Sequence, residues 1–371
     1  MKHLTDFYKW TRINEAQGVP SGIEFWVDFL SHTVEGLIAD FVKKHGESAM
    51  LDIDVSISGK DLQNLAVDFG WNIEEVPYLK EFPLVEPEFN FSIVKGESHD
   101  IEYAKFDNID IDIVDATFEG GEVIPLLVGG KITLEISIDA DKVLSNFEEE
   151  WESHLKYRIE SVLFHELTHV YEFYKRIQSG STLPDFNTMS GDVSRMNKMG
   201  AVADWDRLMF LIYLQLSFEL NARTSEAWGE IRAKSPKTDE EFINLIKKTR
   251  AWRQATDLKD WKSNEYIKSF KVPDGVIKRV RKHDKKETSI EEIKDVVLRQ
   301  LIDNWEYSYN DMANQISDGE VINIPELSSK MVSSPKIFLK FWEKKFNLAG
   351  RKSIRKLSKL WTRWKNQEDT I

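Results

Sequence analysis

Apolar positions along this chain repeat with two different periods, and the periods change at defined places. Trp26, Leu30, Val34, Leu37, Ile38 and Phe41 recur at helical spacing, which predicts an amphipathic packing helix. It is the second of two helices over residues 1–47, separated near Gly18-Val19-Pro20-Ser21-Gly22. From Leu51 the period falls to two: Leu51, Ile53, Val55 and Ile57 alternate with Asp52, Asp54, Ser56 and Ser58, the pattern of a half-buried strand. Alternation returns in Phe89-Asn90-Phe91-Ser92-Ile93, in Ile109-Asp110-Ile111-Asp112-Ile113 and, after Gly129-Gly130, in Ile132-Thr133-Leu134-Glu135-Ile136-Ser137-Ile138. Helical spacing resumes from about residue 148 to 177, with no Pro or Gly to interrupt it. It resumes again over 201–233, around the apolar run from Leu208 to Leu214, and continues over 238–347 with Trp252, Trp261, Trp305 and Trp342 on the stripes.

This order predicts an α+β protein with a small, mostly antiparallel sheet followed directly by a helix, and a large helical C-terminal half. The expected divisions are 1–50 (N-terminal helices), 51–233 (sheet and the helices after it) and 234–371 (further helices). Residues 178–200, with Gly180, Pro184, Asn187 and Gly191, read as a lid-like connection. The basic, turn-rich stretch 271–286 around Pro273-Asp274-Gly275 reads as another connection.

Composition narrows the chemistry. In 371 residues there is no cysteine, which excludes disulfides, thiolate metal sites and cysteine nucleophiles together. The longest apolar run is far too short to cross a bilayer, and the first residues lack a signal-peptide core. These features predict a soluble, cytoplasmic protein. A net charge of −13 argues against a chain that coats nucleic acid along its whole surface. The acids concentrate in residues 85–160, a charged outer face without EF-hand spacing.

The candidate chemistry lies in the uninterrupted helix. Its sequence includes Phe164-His165-Glu166-Leu167-Thr168-His169. Positions four apart on a helix stack one turn above each other, so His165 and His169 point the same way. Two neutral imidazoles on one face can hold a zinc ion, and Glu166 can reach a water on that ion as general base. Leu163, Leu167, Val170 and Tyr174 form an apolar stripe, while His165, Glu166, His169 and Glu172 gather on another side. The alternative for the two His is a pair of satisfied polar groups at a seam.

The His-Glu-x-x-His pattern resembles that of the zinc metallopeptidases called zincins, over roughly residues 88–232. The resemblance implies zinc-dependent hydrolysis of peptide bonds in a protein or peptide substrate, with Zn2+ as cofactor. It also implies a sheet beside the active-site helix, whose edge strand pairs with extended substrate. The resemblance is to the glutamate-ligand zincins, compact intracellular and phage-encoded ones included. These take a third ligand from a second helix, and Glu219, in Glu219-Leu220-Asn221-Ala222, occupies that place. Glu172 also shares the His face, but three ligands from one straight helix lie nearly in line, against zinc's tetrahedral preference. Glu226, two turns beyond Glu219, is a further rival. Tyr171, Tyr213, His154 and Arg223 are unranked candidates to stabilise an oxyanion.

Residues 350–366 carry seven Lys or Arg and no acid, with Ile354, Leu357, Leu360, Trp361 and Trp364 apolar. Such a basic amphipathic helix either meets an anionic partner or docks on this chain's own acidic sheet. Two other functions therefore stand beside the peptidase. One is an assembly protein, for instance virion-associated, that keeps a vestigial fold; the other is an adaptor working through the tail.

Overall fold

The computed structural model describes residues 23–45, 52–57, 86–95, 105–117, 123–138, 146–151, 155–178, 202–283, 288–316 and 334–368. The helices are α1 (Ile23–His45), α2 (Phe147–Glu150), α3 (Lys156–Gln178), α4 (Ala203–Leu214), α5 (Ser217–Lys234) and α6 (Asp239–Lys248). They continue with α7 (Arg250–Asp260), α8 (Ser263–Ser269), α9 (Asp274–His283), α10 (Ile290–Ile316) and α11 (Pro335–Glu368). Strands β1 (Asp52–Ile57), β2 (Glu86–Lys95), β3 (Lys105–Thr117) and β4 (Val123–Ile138) are described by backbone pairing alone.

The expected fold class, α+β built on a small, mostly antiparallel sheet, is corrected. Among the residues whose side chains are described there is no strand, and helices with their short turns supply the whole described core. The backbone order β1-β2-β4-β3 sets β2 parallel to β4 at the centre, a neighbour relation that no hairpin can make. Alternating polarity indicates an extended segment. It does not reveal which strand lies beside which, or which layer carries the core.

The chain divides into two compact units, each discontinuous in sequence: 1–180 with 221–252 and 355–371, and 181–220 with 253–354. In the second unit Trp205, Phe270, Trp305, Phe338, Trp342 and Phe346 are almost wholly buried. Trp305 meets Phe338 and Trp342 edge-on at centroid distances of 5.5 and 6.0 Å, the offset geometry that aromatic quadrupoles favour. Gly350 lets α11 cross α7 closely, because a Cβ there would lie 2.5 Å from the Ala255 carbonyl oxygen and 2.4 Å from the Lys259 nitrogen. Glu343 accepts from Ser263 Oγ at 2.5 Å, and Asn347 donates to the Leu258 and Trp261 carbonyls at the end of α7.

In the first unit, Trp26, Leu30, Val34 and Ile38 of α1 are buried as their spacing predicts, along with Ile159, Leu163, Phe164 and Leu167 of α3. Half-buried Arg232 of α5 bridges Asp28 and Glu160. Burial opposes its charge, yet the neighbouring carboxylates, Asp28 foremost, push the guanidinium above its ordinary value.

Three boundaries differ from expectation. The single helix expected over 201–233 is two, because the backbone turns at Gln215-Leu216, where the Gln215 N–H donates to the Leu211 carbonyl and the Leu216 N–H to the Tyr213 carbonyl. The expected connection 271–286 contains α9: Pro273 cannot donate but supplies its carbonyl to the Val276 and Ile277 N–H groups, opening a helix with Asp274 in its first turn. The helix expected from about 148 to 177 has a short first piece, α2, and then α3. The lid-like stretch expected over 178–200 lies, beyond Gln178 at the end of α3, outside the described residues, as do the break near 18–22 and the first N-terminal helix.

Candidate metal centre

Helix α3 is buried on nearly every side from Ile159 to Thr168, so its polar groups need internal partners. Thr168 finds one by donating from Oγ1 to the Phe164 carbonyl at 2.6 Å. His165 and Glu166 are buried, and His169 is half-buried. The i, i+4 spacing brings the two imidazoles face to edge, with ring centroids 4.8 Å apart and planes at 83°. Their Nε2 atoms converge to 3.2 Å, and Glu166 Oε1 lies 3.9 Å from His165 Nε2. Ligand atoms of His165, Glu166 and His169 all lie within 4.8 Å of one another.

That spacing can be tested against a metal's needs. Zinc–imidazole bonds of 2.0–2.1 Å at a tetrahedral angle set two ligating nitrogens about 3.3 Å apart. The observed 3.2 Å fits one ion shared by both Nε2 atoms. The donor set, two imidazoles with a carboxylate close by, suits zinc or another borderline divalent metal.

The opposite side of His165 is also built. Its Nδ1 lies 3.3 Å from Glu226 Oε2, and Arg223 Nη1 donates to that same oxygen at 2.6 Å. Burial pushes the Glu226 carboxyl up, but its contact with His165 and the charges of Arg223, His165 and Arg250 outweigh burial and hold it down at about 2. Four residues on, Glu230 shows the reverse. Burial and the negative charge of Glu226 push its carboxyl up to about 7, against the opposing charges of Lys234 and Arg158.

Helix α5 can approach α3 this closely because residue 229 is glycine. A Cβ at Gly229 would lie 2.7 Å from Phe164 Cδ2, 3.0 Å from Ser161 Cα and 3.1 Å from the Glu160 carbonyl oxygen. The α11 segment of this unit is tied down as well. Arg363, buried over the Trp228 ring, pairs with Glu24 Oε1 at 2.7 Å, and Lys365 pairs with Asp239 at 2.5 Å.

The sequence-derived candidates are thus distributed unevenly. His165, Glu166 and His169 come together. Glu219, in the first turn of α5, belongs to the second unit, where it is buried and accepts from the Tyr213 hydroxyl at 2.6 Å. Two oxyanion candidates are engaged with carboxylates, Tyr213 with Glu219 and Arg223 with Glu226. His154 and the side chains of Tyr171 and Glu172 lie outside the described residues. Sequence reasoning named Glu226 only as a rival ligand and did not see it behind His165. The available signal was its seven-residue offset from Glu219, which puts both carboxylates on one stripe of α5.

No family model, curated protein or solved structure matches this chain. Among the described residues, no helix is long and apolar enough to cross a membrane.

Proposed function

We propose that the protein is a zinc-dependent hydrolase of peptide bonds, with His165 and His169 as metal ligands and Glu166 as general base. The observation that carries this reading is the 3.2 Å convergence of the two Nε2 atoms with the Glu166 carboxylate beside them. Zinc, when bound, would polarise a carbonyl and lower the pKa of its water towards about 7. Glu166 is displaced around the helix from the two imidazoles and is suited to take and return a proton rather than to occupy a coordination position. Burial of His165 and Glu166 removes competing solvent, which strengthens local electrostatics. The resemblance of the His-Glu-x-x-His segment to zincins supports a peptide as the substrate.

Elemental analysis of the purified protein, followed by assay on an unfolded protein substrate, tests the reading. Zinc near one equivalent is expected, with hydrolysis that chelation stops. Glu166→Gln should retain the metal and lose at least about a hundredfold in rate. A metal-free protein, or full activity in that variant, overturns the assignment.

A further inference from the structure

We infer that Glu226, anchored by Arg223, is a positioning residue that holds the His165 ring in the tautomer and orientation a metal needs, and is not itself a metal ligand. This rests on the metal reading above. The two nitrogens of an imidazole face away from each other, so a ring whose Nε2 converges on His169 must present Nδ1 elsewhere. Here Nδ1 meets Glu226 Oε2 at 3.3 Å. A carboxylate behind the ring is on the wrong side to join the coordination sphere at Nε2. It is on the right side to accept the Nδ1 proton, which leaves the Nε2 lone pair directed towards His169 and the ion.

The support is built to keep that carboxylate in place. Glu226 is 2% exposed, and Arg223 donates to the same oxygen that faces His165. Arg250 adds positive charge. Gly229, one turn further along α5, allows the approach that brings Glu226 level with His165. A buried carboxylate held only for packing would not need to direct its arginine-bound oxygen at the far nitrogen of a ring whose other nitrogen converges on a second imidazole.

The test measures zinc affinity of the full-length protein by competition with a chromogenic chelator, for wild type, Glu226→Gln, Arg223→Gln, His165→Ala and Asp28→Asn. Asp28→Asn breaks the Arg232 ion pair in the same unit and serves as a control for lost stability. Glu226→Gln is expected to weaken zinc binding about 10- to 100-fold and to shift the visible bands of the cobalt-substituted protein. His165→Ala should lose far more. Arg223→Gln, which leaves Glu226 in place without its cation, should fall between wild type and Glu226→Gln, and it carries the test if Glu226→Gln does not fold. Asp28→Asn should melt earlier with zinc affinity unchanged. If wild type binds zinc while Glu226→Gln and Arg223→Gln bind it equally well, the positioning role is overturned and the metal reading stands. A loss in Glu226→Gln equal to that of His165→Ala would make Glu226 a ligand and also overturn it. A wild type that binds no zinc overturns the metal reading itself, and this inference with it.

Discussion

At the scale of single residues, the first unit places two glutamates four apart on one helix in opposite states. Glu226 is kept ionised by His165, Arg223 and Arg250, whereas Glu230 is pushed up to about 7 by burial and by Glu226 itself. The consequence for stability has a definite sign. In the unfolded chain Glu230 titrates near its ordinary 4.5. Between about pH 4.5 and about 7 the folded protein therefore holds a proton that the unfolded chain has released. Its contribution to stability is largest below that window and falls as pH rises through it. Glu226 acts oppositely and lower: its contribution is present above about 4.5 and is lost as pH falls towards about 2. We expect Glu230→Gln, which cannot titrate, to lack the decline in stability between pH 5 and pH 8. Urea unfolding midpoints of both proteins at those two pH values check this, and equal declines would show that Glu230 does not carry the proton.

At the scale of elements, the pairing of α3 with α5 decides which side chains meet the histidines. Gly229 is the position through which the two helices approach. In Gly229→Ala the added methyl meets the Phe164 ring and also the α3 backbone, so a rotamer change of Phe164 cannot relieve it. Overpacking of this kind costs about 1–3 kcal/mol, offset in part by the roughly 1 kcal/mol that alanine gains over glycine inside a helix. A net loss of stability is expected, together with weaker zinc binding, because spreading the helices withdraws Glu226 from His165. Chemical denaturation and the chelator competition measure the two effects separately. α11 shows the same dependence on neighbours. Seven cations in 350–366 read equally well as a docking face for an anion or as an internal helix. The structure places Leu357, Leu360 and Trp364 in the core and engages Arg363 and Lys365 with Glu24 of α1 and Asp239 of α6.

At the scale of the whole molecule, a ligand that binds only the folded state stabilises it by mass action. Zinc at about one hundred times its dissociation constant should add about 2.7 kcal/mol. Thermal unfolding with added zinc, with EDTA and in His165→Ala checks this. A rise in melting temperature with zinc, reversed by EDTA and absent from the variant, is the expected result. A rise that persists in His165→Ala would place the bound metal elsewhere.

What the sequence determined by itself is local. A helix fixes the relation of positions four apart, so His165 and His169 could be set on one face, with Glu166 displaced beside them, before any fold was known. The same periodicity identified Trp26, Leu30, Val34 and Ile38 as a buried stripe. Tertiary structure decided everything that depends on the register between elements. Glu219 and Glu226 lie on one stripe of α5, and periodicity has no means to tell which turn of that stripe lies level with His165. That depends on where α5 crosses α3, which is set by the absence of a side chain at Gly229 and by the ion pair of Arg232 with Glu160. Fold class was out of reach for the same reason. Alternating residues specify an extended segment, but the parallel pairing of β2 with β4 and a core that, among the described residues, is drawn from helices are relations among distant segments, fixed by packing rather than by local pattern.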